Sequence, residues 1–193
     1  MTPCSKKQYL VDKVLELLDP VWNRYYQKII RLELNRENEP LFWRGLARDA
    51  LRALGSDCNA ELLLAEWPYY RFMEAVPGAR ALLEWLKLKG YTVAVYANTV
   101  PSLQEHLERQ GLGIFVDYPL PCNEVGFIKP DGRGYRRVAE MLAVAPEEIV
   151  YFDDLEFNIR YARQVGYRAF LVQLGRPGPE VVHDLDLIYE ILE

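Results

Sequence analysis

The sequence predicts an α/β fold, a parallel sheet with flanking helices, preceded by an all-helical region. Three observations point there. Residues 1–76 carry apolar residues at helical spacing with no strand pattern, residues 77–193 alternate short apolar runs with amphipathic segments, and two adjacent acids, Asp153 and Asp154, close one of those runs. Short buried strands alternating with helices build right-handed crossovers and a parallel sheet. At 193 residues, half of them hydrophobic, the chain is long enough for one sizeable core and a small accessory lobe.

In the first region, Leu10, Val14, Leu17 and Val21 fall on one helical face, and Asp19-Pro20 punctuates the run. Pro20 fits the first turn of a second helix through Tyr25, Tyr26, Ile29 and Leu34. Asn35 to Pro40 is a polar break. Leu41 to Leu54 forms a third helix, closed by Gly55, and Ser56-Asp57 offers a cap for a fourth that runs to Trp67. Trp67, Tyr69, Tyr70 and Phe72 make a dense aromatic patch, read as core between helices with a ligand platform as the alternative.

After Pro77-Gly78 the pattern changes. An amphipathic helix over 79–89 stops at Gly90, and Thr92 to Tyr96 is a continuous apolar run, the mark of a strand buried on both faces. A helix over 101–110, a strand over 118–122, a loop with Gly126 and Lys129-Pro130, and a helix over 134–142 follow. A strand over 149–152, a helix over 158–165 and a strand over 168–172 continue the alternation.

Composition excludes several classes. A net charge of −5 offers no basic face for nucleic acid. Three scattered cysteines, Cys4, Cys58 and Cys122, make neither a disulfide framework nor a zinc motif. The N-terminal residues break every apolar run with a charge, against a signal peptide or a membrane span, so a cytoplasmic protein is expected. His106 and His183 leave little material for histidine-based triads.

The chemistry concentrates in the segment from Ile149 to Asn158, where Asp153 and Asp154 emerge together as a buried strand ends. That carboxyl edge is where open α/β sheets bind ligands. Adjacent carboxylates repel, so a cation must compensate, either Mg²⁺ or a lysine, and Lys129 is the candidate lysine. The competing account makes Asp153 a helix cap and Asp154 a solvated acid. Arg133, Arg136 and Arg137 read as a solvated helix face, with anion binding as the alternative.

The order Pro77-Gly78, a strand ending in Asn98, Lys129-Pro130, then Asp153-Asp154 with Asn158 resembles the haloacid dehalogenase-like (HAD) superfamily. The resemblance implies a Rossmann-like core over 77–193 and a cap-like helical region over 1–76. It implies catalytic positions at Lys129 and Asp153, phosphate contacts from Asn98, Thr99 and Lys129, and a metal site at Asp153 and Asp154 that would take Mg²⁺. The family's opening strand ends in an Asp-x-Asp motif, whose first acid attacks phosphorus. No segment of the first 75 residues matches that motif. Asp184-Leu-Asp186 has the spacing but reads as a cap of the last helix.

Ala97 stands where the family places a hydroxyl, with Thr99 as a late substitute. The expectation is therefore a HAD-like binding or interaction module without phosphatase catalysis. The alternative is a Mg²⁺-dependent phosphatase of a small phosphorylated metabolite, with Asp19 as a displaced nucleophile. The family's missing strand lies mid-sheet, so its neighbours are expected to close up or an internal segment to replace it. A protein partner, or a dimer formed by strand exchange, is the remaining option.

Overall fold

The computed structural model describes residues 3–66, 68, 74–176, 178 and 181–193, without the side chains of residues 3–11. The chain divides into two compact units, residues 1–74 and 75–193. No described helix is long and apolar enough to cross a membrane.

The first unit contains α1 (Pro3–Ile30), α2 (Glu39–Ala53) and α3 (Ala60–Glu66). Val21, Tyr25 and Ile29, four residues apart, form the buried stripe of α1, and Phe42, Ala47 and Leu51 form that of α2. The rings of Tyr25 and Phe42 meet edge to face, 5.5 Å between centroids. The expected break at Pro20 does not occur, because α1 runs through it. Proline leaves the Glu16 carbonyl without its helical donor, but both residues are exposed and water can serve it. The cap of α3 is Asn59, whose Oδ1 accepts from the Glu61 amide at 2.7 Å, rather than Ser56 or Asp57. The patch at Trp67, Tyr69, Tyr70 and Phe72 lies outside the described residues.

The second unit follows the predicted alternation. Its elements are α4 (Ala79–Leu88), β1 (Ala94–Ala97), α5 (Leu103–Arg109), β2 (Tyr118–Pro121), α6 (Cys122–Val125), α7 (Gly132–Leu142), β3 (Val150–Asp153), α8 (Glu156–Val165), β4 (Arg168–Val172), β5 (Val181–Val182) and α9 (Asp186–Leu192). All strand pairs are parallel: β1 with β2 from Ala94↔Tyr118 to Ala97↔Pro121, β3 with β4 from Val150↔Arg168, and β4 with β5 from Leu171↔Val181. Strand periodicity splits the core. Tyr151 of β3 packs with Tyr96, Tyr135, Ile159 and Tyr167 among α7 and α8, while its neighbour Phe152 turns to Leu82 of α4 and Ile188 of α9.

The strands form two sheets, β1-β2 and β3-β4-β5, and no described strand joins them. The expected closing-up of β1 against β3 is thus absent, as is an internal replacement among the described residues. The Tyr135 ring of α7 packs edge to face on both Tyr96 of β1 and Tyr151 of β3, 5.9 and 5.6 Å between centroids.

Gly134 sits at the start of α7 because a Cβ there would press on the Tyr96 hydroxyl and lie 3.1 Å from the Phe127 Cβ. That hydroxyl is held in place by donating to the Phe127 carbonyl at 2.9 Å, so it has little freedom to yield. Gly134→Ala should therefore lower unfolding stability by about 1–3 kcal/mol in denaturant titration. An unchanged midpoint would show that Tyr96 moves aside freely.

Candidate active site at the strand ends

The carboxyl ends of β1 and β3 converge on Lys129. Asn98, the residue after β1, accepts the Lys129 N–H through Oδ1 and donates through Nδ2 to the Lys129 carbonyl, both at 2.7 Å. This two-bond clamp fixes the lysine backbone, and the Lys129-Pro130 peptide is cis. The side chain then passes the rings of Tyr96 and Tyr151, with Nζ 5.7 and 5.8 Å from their centroids. It ends on Asp153 Oδ2 at 2.7 Å.

Asp153 is 9 % exposed and its carboxylate takes four donors. Lys129 Nζ and the Tyr151 hydroxyl donate to Oδ2, at 2.7 and 2.5 Å. The Leu155 N–H and the Asn158 amide donate to Oδ1, at 2.9 and 2.8 Å. Asp153 is the lysine's partner and accepts the Leu155 amide in the turn before α8, but the N-cap position of that helix, Leu155, has no side-chain cap bond, so the reading of Asp153 as the helix cap does not hold. Burial alone would raise its pKa, but the hydrogen bonds from Lys129, Tyr151 and Asn158 outweigh burial and hold it below the usual carboxylate value. Burial, reinforced by the bond to Asp153, drives the Tyr151 phenol well above its ordinary value, so it stays protonated and donates.

The other candidates separate from this cluster. Asp154 is exposed and has no hydrogen bond or ion pair among the described residues. Thr99 is half-buried, and its carbonyl lies 3.6 Å from the Cys122 thiol. Asp19 is exposed within α1, in the first unit. Asp184 accepts the Asp186 amide at 3.1 Å, but the N-cap position of α9, Leu185, has no side-chain cap bond, so the expected cap is not formed. Arg133 pairs with Asp131 and Arg137 with Glu140 on an exposed face. His106 is half-buried, its Nε2 3.2 Å from Ser102 Oγ.

Sequence reasoning missed Tyr151 and Tyr135. Tyr151 lies two residues before Asp153 on one strand, so both side chains leave the same face, a signal that period-two spacing carries. Tyr135 is wholly buried with its hydroxyl turned toward that of Tyr151, and burial pushes its phenol well above the usual value. Among the described residues Asn158 Oδ1 has no hydrogen-bond partner. Among the described residues no group of three His, Cys, Asp or Glu side chains is placed to hold a metal. With Asp153 committed to four donors, Asp154 is the one carboxylate of the pair with free lone pairs, which by itself does not fit Mg²⁺.

Removing one member of this pair strands the other. Lys129→Met should cost about 3–5 kcal/mol of stability, and Lys129→Met combined with Asp153→Asn should recover part of it. The pH dependence has a definite sign. A depressed folded pKa stabilises fully above the unfolded value, about 3.9, and the contribution fades as pH falls through the folded one. Stability measured from pH 6 to pH 2 should thus fall less steeply in Asp153→Asn; parallel curves would remove Asp153 as a source of acid sensitivity.

Comparison with known proteins identifies the family. A family model described as haloacid dehalogenase-like hydrolase matches residues 9–166. A phosphatase of Mycobacterium tuberculosis is 32 % identical over 184 residues, covering 93 % of this chain and 83 % of the relative. The phosphoserine phosphatase of Thermus thermophilus is 34 % identical over 174 residues, covering 87 % and 69 %. Among solved structures, a dehalogenase with an intermediate complex superposes with a TM-score of 0.66 at 22 % identity, over 91 % of this chain and 83 % of that one, a likeness of fold. The chain belongs to the haloacid dehalogenase-like hydrolases.

Proposed function

We propose that this protein is a phosphatase acting on a small phosphorylated molecule. The observation that carries the reading is the Lys129 ammonium, fixed where β1 and β3 end by Asp153 and by the Asn98 clamp. A cation held at that edge suits a phosphate dianion, and the donors around it need no rearrangement when charge develops. Thr99, next to the clamp, offers a hydroxyl, and Asp154 offers an open carboxylate. Asp153 acts through Lys129 in this reading: it holds the ammonium in place and aimed. The relatives' names favour a phosphatase over a silent binding module.

Asp19, the sequence's candidate for the attacking acid, is an exposed helical residue with Val21 rather than an acid at i+2. Asp154 alone does not make a Mg²⁺ site, so dependence on the ion is measured directly.

The test is a panel of phosphate monoesters with and without Mg²⁺, together with ³¹P titration of inorganic phosphate. Turnover of at least one small monoester is expected, reduced by about 100-fold or more in Lys129→Met while circular dichroism stays native. Phosphate binding without turnover anywhere on the panel would return the protein to the binding-module reading. Loss of turnover in Asp19→Asn would make Asp19 the attacking carboxylate; retained turnover would exclude it.

A further inference from the structure

A lysine ammonium sits on a flexible four-carbon stem and turns freely about its last bond, so an ion pair alone holds the charge without fixing its direction. Beside Lys129 there is a second acceptor. The Tyr151 hydroxyl accepts from Nζ at 3.2 Å while donating to Asp153 Oδ2 at 2.5 Å, and Oδ2 is also the atom that Nζ binds at 2.7 Å. Ammonium, phenol and one carboxylate oxygen thus close a triangle. Its two oxygen corners are near neighbours, so both lie on one side of Nζ, and the ammonium protons they leave unused point away from both.

The phenol reaches its corner on a rigid support. Tyr151 lies within β3, in register with Ala169 of β4, and its ring packs edge to face on Tyr135 and Tyr167, 5.6 and 6.1 Å between centroids. Nζ is 5.8 Å from the Tyr151 ring centroid yet 3.2 Å from its oxygen, so the lysine meets the hydroxyl end of the ring rather than its face. A phenylalanine here keeps the packing and offers Nζ nothing in place of the oxygen. The carboxylate is anchored without the tyrosine, because the Leu155 amide and the Asn158 carboxamide hold Oδ1. The lysine backbone is clamped by Asn98, which leaves the stem and its ammonium as the loose part of the site.

We propose that Tyr151 is a positioning residue, whose hydroxyl fixes the direction in which the Lys129 ammonium presents its remaining protons to a phosphoryl group. The inference rests on the phosphatase reading for its effect on turnover, and on the triangle alone for its effect on the ammonium. Aim counts most as charge builds on the phosphoryl oxygens, so its loss falls on kcat rather than on KM.

The test compares Tyr151→Phe with Tyr167→Phe, which removes another phenol of the same cluster, one bonded to the Tyr135 carbonyl instead. Two readouts are taken on each. One is steady-state hydrolysis of the best monoester of the panel, para-nitrophenyl phosphate included. The other is the ¹H–¹⁵N signal of the Lys129 ammonium, assigned by its absence from Lys129→Met. In the wild type that ammonium should exchange its protons with water about 5-fold more slowly than that of exposed Lys89. Tyr151→Phe should speed the exchange about 5-fold and lower kcat about 10-fold, with KM within about threefold, while Tyr167→Phe should change neither. Equal exchange at Lys129 and Lys89 in the wild type would overturn the proposal before any variant is made. So would unchanged exchange or unchanged kcat in Tyr151→Phe, or an equal fall of kcat in Tyr167→Phe, the mark of a merely loosened tyrosine cluster. A wild type that turns over no monoester would defeat the phosphatase reading instead. The exchange rates then decide alone: faster exchange in Tyr151→Phe supports the hold on Lys129, and unchanged exchange overturns it.

Discussion

The second unit is organised around one buried ion pair, Lys129 with Asp153, 2.7 Å apart. Taking two charges out of water is costly, and their mutual attraction offsets that only when every remaining lone pair and proton is also satisfied. Asp153 meets the condition with a phenol, a backbone amide and a carboxamide besides the ammonium. Lys129 meets it with Asp153 and the Tyr151 hydroxyl, flanked by two aromatic faces. Such a pair contributes position more than stability. It fixes the end of β3 relative to the loop that Asn98 fixes to the end of β1.

The tyrosines show how strand geometry supplies those partners. Tyr96, Tyr135, Tyr151 and Tyr167 pack edge to face around Tyr135, which buries four phenols in one cluster. Each hydroxyl then needs a partner of its own. Tyr96 finds the Phe127 carbonyl, Tyr167 the Tyr135 carbonyl and Tyr151 the Asp153 carboxylate. Tyr135 turns its hydroxyl toward that of Tyr151.

Much of this was legible from residues alone. The alternation after Pro77 gave the parallel strands and their helices, because a strand buried on both faces reads as an unbroken apolar run. Lys129 and Asp153 were readable from their own chemistry, polar in an apolar setting, whereas Asn98 and Asn158 were marked only by the resemblance to the haloacid dehalogenase-like superfamily. Pro20 misled, since sequence does not tell whether a helical carbonyl stripped of its donor will face water. The cap of α3 misled similarly, with Ser56, Asp57 and Asn59 all competent and only the turn geometry choosing Asn59. The four-donor saturation of Asp153 was hidden because it depends on Lys129 and Tyr151 arriving together from separate segments.

The clamp that Asn98 places on Lys129 has a thermodynamic corollary. It links the loop after β1, the end of β3 and the first turn of α8 through a single carboxylate. Freeing any one of them uncovers a charge or a carboxamide that has nowhere else to turn. Opening at any one of these points therefore uncovers groups at the others, which favours their opening together.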